Sequence, residues 1–240
     1  MTTAELAAAL VIVAVAGFMR GITGFGGAML MAPPLSLLLG PVTAVVIALT
    51  LETAAAVVMF PDALRRINLR LLCYLTIPAC FTVPIGGYLL ITMDPTLARK
   101  GIAIVVVAFS LALLLGLRYS GRPRPATSAA LGSIVGVLLG ATSVGAPPVI
   151  LYLMSGPDPH TVTRANLTVF VTAISLIGLV MLGAAGAVSH SLALFAGVLM
   201  TPFLLATWLG SKAFGKVTEY TVRRLALAMM LSMGLLAIVL

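Results

Sequence analysis

Ten apolar runs, separated by short polar or glycine-rich segments, account for most of the chain. Six of them reach the length that a helix needs to cross the hydrocarbon core of a bilayer, about 17 to 25 residues. The other four are shorter and form two pairs, each joined by a turn rich in Gly, Thr and Ser, and we expect them to be half-helices. The runs are 4–19, 28–39, 42–60, 71–92, 101–117, 126–139, 146–154, 162–182, 192–209 and 221–240. The pattern predicts an all-α polytopic membrane protein.

The order of glycine and proline residues predicts an internal repeat. Shifts of 119 and 124 residues align matching positions in the same order along both halves: Gly21 with Gly140, Thr23 with Thr142, Gly26 with Gly145, Pro78 with Pro202, Gly86 with Gly210 and Arg99 with Arg223. The first copy is then 1–120, with hairpin 4–39 and helices 42–60, 71–92 and 101–117. The second is 126–240, with hairpin 126–154 and helices 162–182, 192–209 and 221–240. Residues 121–125 link the copies within one membrane domain.

The distribution of Lys and Arg predicts that the two copies are inverted. If each short pair is a re-entrant hairpin, eleven basic loop residues lie on one side of the membrane and two on the other. If each pair counts as a crossing, the division is six against seven. Because basic loops concentrate in the cytoplasm, we expect inverted repeats, each a hairpin plus three transmembrane helices, with both termini outside the cytoplasm. Such repeats are a known transporter architecture.

Composition agrees with a membrane protein and excludes several function classes. Hydrophobic residues make up 61% of the chain and charged residues 8%, against about 25% charged in soluble domains. The net charge of +8 lies in short loops without a basic stripe of interleaved aromatics, so no nucleic-acid partner is expected. The N-terminal MTTAE lacks a basic segment, and the first apolar run is therefore expected to be retained. The chain carries no P-loop, GxGxxG, HExxH or GxSxG motif, so neither an enzyme nor a cofactor is predicted.

The two hairpin tips, 23–27 and 142–146, are the candidate anion site. A helix is not expected to cross Gly21, Gly24, Gly26 and Gly27, because each glycine costs about 1 kcal/mol relative to alanine. The helices that follow the tips would point their N-termini inward, where free N–H groups and the helix dipole favour an anion. Gly24, Gly26, Gly27 and Gly145 would allow close backbone approach, and Thr23, Thr142 and Ser143 would add hydroxyl donors. The alternative is that these small residues only let helices pack closely.

Three polar residues inside the apolar runs add to this site. Arg20 is costly in a membrane and could bind an oxyanion through two parallel hydrogen bonds, or could form a structural ion pair with Glu52. Glu52 is accordingly either a proton carrier or the partner of Arg20. We expect Asn166 to face the cavity, and Arg164 to extend to the cytoplasmic surface.

The two histidines and the two cysteines give little indication of function. His160 and His190 have no second ligand at metal spacing, so no metal site is predicted. Cys73 and Cys80 lie about 10 Å apart along a helix axis, which is too far for a disulfide. They are interpreted as small packing residues, with an intramembrane sulfur-handling role as the alternative.

The two hairpin segments, GITGFGGAMLMAPPLSLLLG and GVLLGATSVGAPPVILYLMSG, resemble the TauE/SafE family of sulfite and organosulfonate exporters. The resemblance continues through INLRLLCYLTIPACFTVPIGGYLL and TPFLLATWLGSKAFGKVTEYTVRRLALAMM and covers essentially the whole chain. One departure is SVGAPP in the second hairpin, which has fewer glycines than the family's usual run.

The resemblance implies an inner-membrane secondary transporter that exports a small sulfur-containing anion such as sulfite, sulfoacetate or thiosulfate. A passive anion channel that uses the same site is the alternative function. A coupling proton or sodium ion and a homodimer stay open.

Overall fold

The computed structural model describes residues 3–24, 26–117, 119, 121, 124–156, 158–213 and 219–239. Within these residues the chain forms ten α-helices and no strand, as the apolar pattern predicts. They are α1 (Thr3–Thr23), α2 (Gly27–Leu39), α3 (Pro41–Ala63), α4 (Leu69–Thr92), α5 (Pro95–Leu114), α6 (Pro125–Thr142), α7 (Ala146–Leu153), α8 (His160–Ala184), α9 (His190–Ala213) and α10 (Glu219–Val239). Of the basic residues counted above, Arg118, Arg122 and Lys216 lie outside the described residues.

Six helices of the described chain are long and apolar enough to cross a membrane, namely α1, α4, α5, α6, α8 and α9. α1 and α6 are among them, with 21 and 18 residues, so these two are longer than the predicted half-helices. Only α2 and α7, with 13 and 8 residues, are short. The predicted spans 42–60 and 221–240 form α3 and α10, helices of 23 and 21 residues, of which Pro41–Ala56 and Leu227–Ile238 are the apolar stretches with described side chains.

Close packing explains why α1 continues through Gly21. A Cβ atom on Gly21 would overlap the backbone oxygen of Thr207, so α9 approaches the α1 backbone directly at this position. Gly140 does the same in α6, where a Cβ atom would overlap the backbone oxygen of Val83 on α4. Small residues permit such contacts between membrane helices. The expected break at Gly21 is therefore wrong, and the helix ends instead before Gly24 and Gly26, whose φ angles are 78° and 87°.

Helix α5 is the one element whose predicted start is far off. It begins at Pro95, six residues before the predicted 101, because the Asp94 carboxylate caps it by accepting hydrogen bonds from the N–H groups of Thr96 and Leu97 at 2.8 and 3.3 Å. Asx residues stabilise helix N-termini in this way. Arg99 and Lys100 consequently lie in a helix rather than in a loop. The other nine helices begin and end within four residues of the predicted runs.

Both short pairs fold back on themselves as antiparallel hairpins. At the start of α2, a Cβ atom on Gly27 would lie 3.3 Å from the Cβ atom of Arg20, near the end of α1. At the end of α7, the Tyr152 hydroxyl lies 2.7 Å from the Ser128 hydroxyl, near the start of α6. Each short helix therefore runs back along the longer helix that precedes it.

The outer surface of the molecule is apolar. Phe81 is 78% exposed, and many other large apolar side chains along the long helices are exposed as well. Soluble monomers rarely expose extended apolar patches, whereas a bilayer favours them. With the six apolar helices, this surface is that of a multi-pass membrane protein.

Candidate functional site

Arg20 is fully buried and pairs with the buried Glu52. Its Nε atom lies 2.6 Å from Oε2 of Glu52, and the exposed fractions of the two side chains are 0% and 2%. The Arg20 Nη1 group donates a hydrogen bond to the Gly24 carbonyl, across the end of α1. Arg20 therefore forms the ion pair with Glu52, which was one of its two predicted roles. Its Nη2 group is left without a partner among the described residues.

The carboxylate of Glu52 also closes the N-terminus of α2. Its Oε1 atom accepts a hydrogen bond from the Ala28 N–H at 3.0 Å. A Cβ atom on Gly27 would lie 2.6 Å from this same oxygen, so only glycine leaves the carboxylate its present place. A carboxylate at a helix N-terminus interacts favourably with the dipole and the free N–H groups. Glu52 therefore holds the position that was predicted for an incoming anion.

The hydroxyl groups of the tips are engaged within their own helices. The Thr23 hydroxyl donates to the Met19 carbonyl at 2.8 Å, and the Thr142 hydroxyl donates to the Leu138 carbonyl at 2.7 Å. The Ser143 hydroxyl donates to the Thr142 carbonyl at 2.6 Å. In this conformation their protons point to backbone oxygens and not to a shared ligand position.

The second tip offers fewer backbone donors than the first. In helix α7 the first residue, Ala146, is followed by Pro147 and Pro148, and proline has no N–H group. In α2, the first turn carries no proline, and Pro33 and Pro34 come later. The departure SVGAPP therefore affects the site, because the first turn of α2 offers more backbone N–H donors than that of α7.

The structure brings the two tips together around one small cavity. Its volume is about 10 Å³, which is room for a single water molecule. The lining comes from both halves of the chain: Gly26, Ala28, Met29, Glu52, Ser143, Val144, Gly145, Ala146 and Val171. A sulfur oxyanion does not fit this cavity unless the tips move apart.

Asn166 does not belong to this cavity. It is 1% exposed, and its Oδ1 atom accepts a hydrogen bond from the Asn68 N–H at 2.8 Å. The Asn68 side chain in turn donates to Asp158 at 3.2 Å. The expectation that Asn166 faces the tips is wrong, because its carbonyl instead ties the start of α8 to the loop between α3 and α4.

Arg164 was missed as a site residue, since it was expected to extend to the surface. It is half-buried, and its Nη2 atom donates to the Gly21 carbonyl at 2.6 Å. A Cβ atom on Gly24 would lie 2.5 Å from the Cγ atom of Arg164. The first tip is therefore flanked by two arginines, Arg20 within its own hairpin and Arg164 from the second half of the chain.

Comparison with known families agrees with this architecture. A family model described as "Sulfite exporter TauE/SafE" matches residues 9–237 of the 240 residues. The chain belongs to the TauE/SafE family. Its members are membrane transporters of the sulfite-exporter type and not enzymes. No curated protein and no solved structure matches the chain.

The enzymatic alternative for this TauE/SafE protein depends on its two cysteines. Cys73 is exposed and Cys80 is half-buried, and both are free thiols. Neither lines the cavity between the tips. Among the described residues, no three His, Cys, Asp or Glu side chains are grouped as metal ligands would be, and the side chain of His160 lies outside the described part of the chain.

Proposed function

We propose that this TauE/SafE protein is a secondary transporter that exports a small sulfur-containing anion, such as sulfite, sulfoacetate or thiosulfate, across the inner membrane. The anion binds at the hairpin tips, where Arg20 supplies positive charge and the first turn of α2 supplies N–H donors. The observation that carries this proposal is the place of Glu52, whose carboxylate contacts both Arg20 and the Ala28 N–H. A protein carboxylate held there indicates that the tip accepts an oxyanion.

In this mechanism Glu52 is an internal counter-anion that the substrate displaces. With the substrate absent, its carboxylate neutralises Arg20 and caps α2, so neither group is left unpaired in an apolar interior. An arriving oxyanion competes for the same donors, and the unpartnered Nη2 atom of Arg20 becomes a contact for it once the tips separate. A charge-assisted bond to Arg20 can then replace the bond to Glu52. A coupling proton on Glu52 would assist the exchange, because it removes the competing charge.

The second half of the chain supports a functional role for the pair. Under the shift of 119 residues, Leu139 stands at the position of Arg20, and Val171 stands at the position of Glu52. Both Glu52 and Val171 line the cavity between the tips. At these corresponding positions the chain therefore carries two charged residues in the first half and two apolar residues in the second. Apolar residues often replace a buried ion pair without loss of stability. The presence of Arg20 and Glu52 in the first half therefore favours a role in anion binding over a purely structural role.

Transport in this proposal proceeds by alternating access between two inverted repeats. Support comes from the exchange of partners between the copies, in which α1 packs on α9 and its counterpart α6 packs on α4. The antiparallel hairpins also support three crossings per copy and hence inverted copies, for which the distribution of basic residues favours both termini outside the cytoplasm. The cavity between the tips has room for one water molecule only. An anion therefore enters when the two halves rock apart and the tips separate.

The experiment is uptake of labelled sulfite and sulfoacetate into proteoliposomes that contain the purified chain. The proposal predicts saturable uptake that a second sulfur oxyanion inhibits competitively. Flux that neither saturates nor drives counter-transport would instead identify an anion channel. Absence of any uptake of either anion by a folded, reconstituted chain would contradict the proposed substrates.

A further inference from the structure

A second and larger cavity lies at the ends of α3 and α9 and the start of α8. Its volume is about 240 Å³, below the 300 to 1,000 Å³ or so of pockets for drug-sized ligands, and it can hold a small hydrated ion. The polar part of its lining consists of Arg66, Thr161, Arg164, Thr168 and Ser211. Two guanidinium groups and three hydroxyl groups therefore share one small space.

This lining is chemically suited to an oxyanion. The guanidinium group presents several N–H donors in a planar fork that matches the oxygen atoms of a carboxylate, phosphate or similar anion. The hydroxyl groups of Thr168 and Ser211 already donate to the backbone carbonyls of Arg164 and Trp208, so the affinity of this lining for an anion depends on the two guanidinium groups. Among the lining residues that the structure describes, none is acidic. In this respect it differs from the cavity between the tips, which Glu52 already occupies with a carboxylate.

The cavity runs from the surface to the interior. Arg66 and Thr161 are exposed, whereas Thr168 is 1% exposed and Ala165 is 4% exposed. The exposed residues therefore form its mouth, and the buried residues of α8 form its floor. In the proposed orientation this mouth opens on the cytoplasmic side, from which an exporter takes its substrate.

Its floor leads towards the hairpin tips along α8. Thr168 lines the large cavity, and Val171, three residues further on, lines the cavity between the tips. Three residues correspond to about 4.5 Å along a helix. The same helical face continues with Thr172 and Ser175, both buried, whose hydroxyl groups have no hydrogen-bond partner within the described residues.

Arg164 connects the large cavity to the end of α1. Its side chain lines the large cavity, and its Nη2 atom donates to the Gly21 carbonyl at 2.6 Å. The backbone carbonyl of Arg164 also accepts a hydrogen bond from the Thr168 hydroxyl at 3.0 Å. An anion held by Arg164 is thus adjacent to the end of α1 and to the first tip.

We propose that this cavity is a second anion-binding site, in which a small oxyanion is held between Arg66 and Arg164 before it passes to the hairpin tips. The nature of the transported anion rests on the function proposed above, whereas binding in the cavity does not. The site explains where an anion can be held while the tips are closed, since the cavity between them admits only one water molecule.

The test is isothermal titration calorimetry of sulfite and of sulfate on the full chain in nanodiscs. Arg66→Gln and Arg164→Gln each remove one guanidinium group, and each is expected to weaken binding about ten- to hundredfold. Arg65→Gln is the matched control, because Arg65 is the exposed neighbour of Arg66 and does not line the cavity. It removes the same charge and should change the dissociation constant less than about twofold. Arg164→Lys keeps the charge and is expected to bind more tightly than Arg164→Gln.

The outcomes separate this inference from the proposed function. If Arg66→Gln and a folded Arg164→Gln bind both anions with the affinity of the wild type, the cavity is not a binding site and the inference is overturned. Arg66 lies in an exposed loop, so its replacement remains informative should Arg164→Gln fail to fold. Binding that depends on Arg66 in a chain that transports neither anion would support the second site and contradict the proposed function. Anion binding that survives Arg20→Met combined with Glu52→Gln, while transport is lost, would support two separate sites.

Discussion

The Nε atom of Arg20 lies 2.6 Å from Oε2 of Glu52, and both side chains are buried among apolar helices. The second oxygen of Glu52 accepts from the Ala28 N–H, so one carboxylate serves both a guanidinium group and a helix N-terminus. Removing two charges from water is expensive, and a pair in this setting is poor evidence for stability by itself. Its contacts match those that a bound oxyanion needs, which is why we relate it to transport.

Replacement of Arg20 alone should destabilise the protein strongly, whereas replacement of both Arg20 and Glu52 should not. Arg20→Met leaves the Glu52 carboxylate uncompensated and is expected to lower the free energy of unfolding by about 3–5 kcal/mol. Arg20→Met combined with Glu52→Gln removes both charges and keeps an acceptor for the Ala28 N–H. Thermal unfolding in detergent should therefore place the double variant close to the wild type. A double variant that is destabilised by the sum of both single effects would contradict the pairing.

Close helix packing predicts the effect of alanine at two corresponding glycines. Gly21→Ala and Gly140→Ala place a methyl group against the backbone of α9 and α4 respectively, and each should destabilise the protein by about 1–3 kcal/mol or more. Gly197→Ala is the control, because no atom lies within 4 Å of a Cβ atom at this helical position. It should be neutral or stabilising by up to about 1 kcal/mol. Equal thermal stability of all three variants would show that α1 and α6 do not depend on these contacts.

Gly27 should matter for transport more than for folding. A Cβ atom there would lie 2.6 Å from Oε1 of Glu52, and the end of a flexible side chain can move aside. Gly27→Ala is therefore expected to push the carboxylate away from the Ala28 N–H and to reduce the rate of sulfite uptake several-fold. Gly101→Ala, in open space on α5, provides the control. Uptake by Gly27→Ala that equals that of Gly101→Ala would separate the α2 N-terminus from the substrate path.

The cysteines should be dispensable. Cys73 and Cys80 do not line either cavity, so Cys73→Ser combined with Cys80→Ser should leave the uptake of sulfite within about twofold of the wild type. Serine preserves the size of the side chain and removes the thiol chemistry. Complete loss of uptake in a folded double variant would favour the intramembrane sulfur-handling alternative.

Local pattern was sufficient to predict the helices and the two hairpins, because hydrophobic run length and clustered glycines act within a few residues. It was not sufficient at Gly21. In the sequence, a glycine that breaks a helix cannot be distinguished from one that allows a neighbouring helix to pack closely, and only the folded structure shows the contact with α9. The predictions for Asn166 and Arg164 were wrong for a related reason. Their partners, Asn68 and Gly21, lie about a hundred or more residues away, and only the tertiary fold brings them together.

The pair of Arg20 and Glu52 was predicted as one of two alternatives, and spacing along the chain did not decide between them. The fold resolves the geometry by laying α2 back along α1 and beside α3, so that the middle of α3 faces the tip. The role of the pair in transport stays a prediction.

The most direct test of the central claim is uptake of labelled sulfite by proteoliposomes that carry either the wild type or Arg20→Met combined with Glu52→Gln. Leu139→Met, at the corresponding position of the second copy, controls for a change in packing near the tips. The account predicts saturable uptake by the wild type and by Leu139→Met, and its loss in the folded double variant. Uptake by the double variant at the rate of the wild type would show that Arg20 and Glu52 are a structural pair and that the anion binds elsewhere.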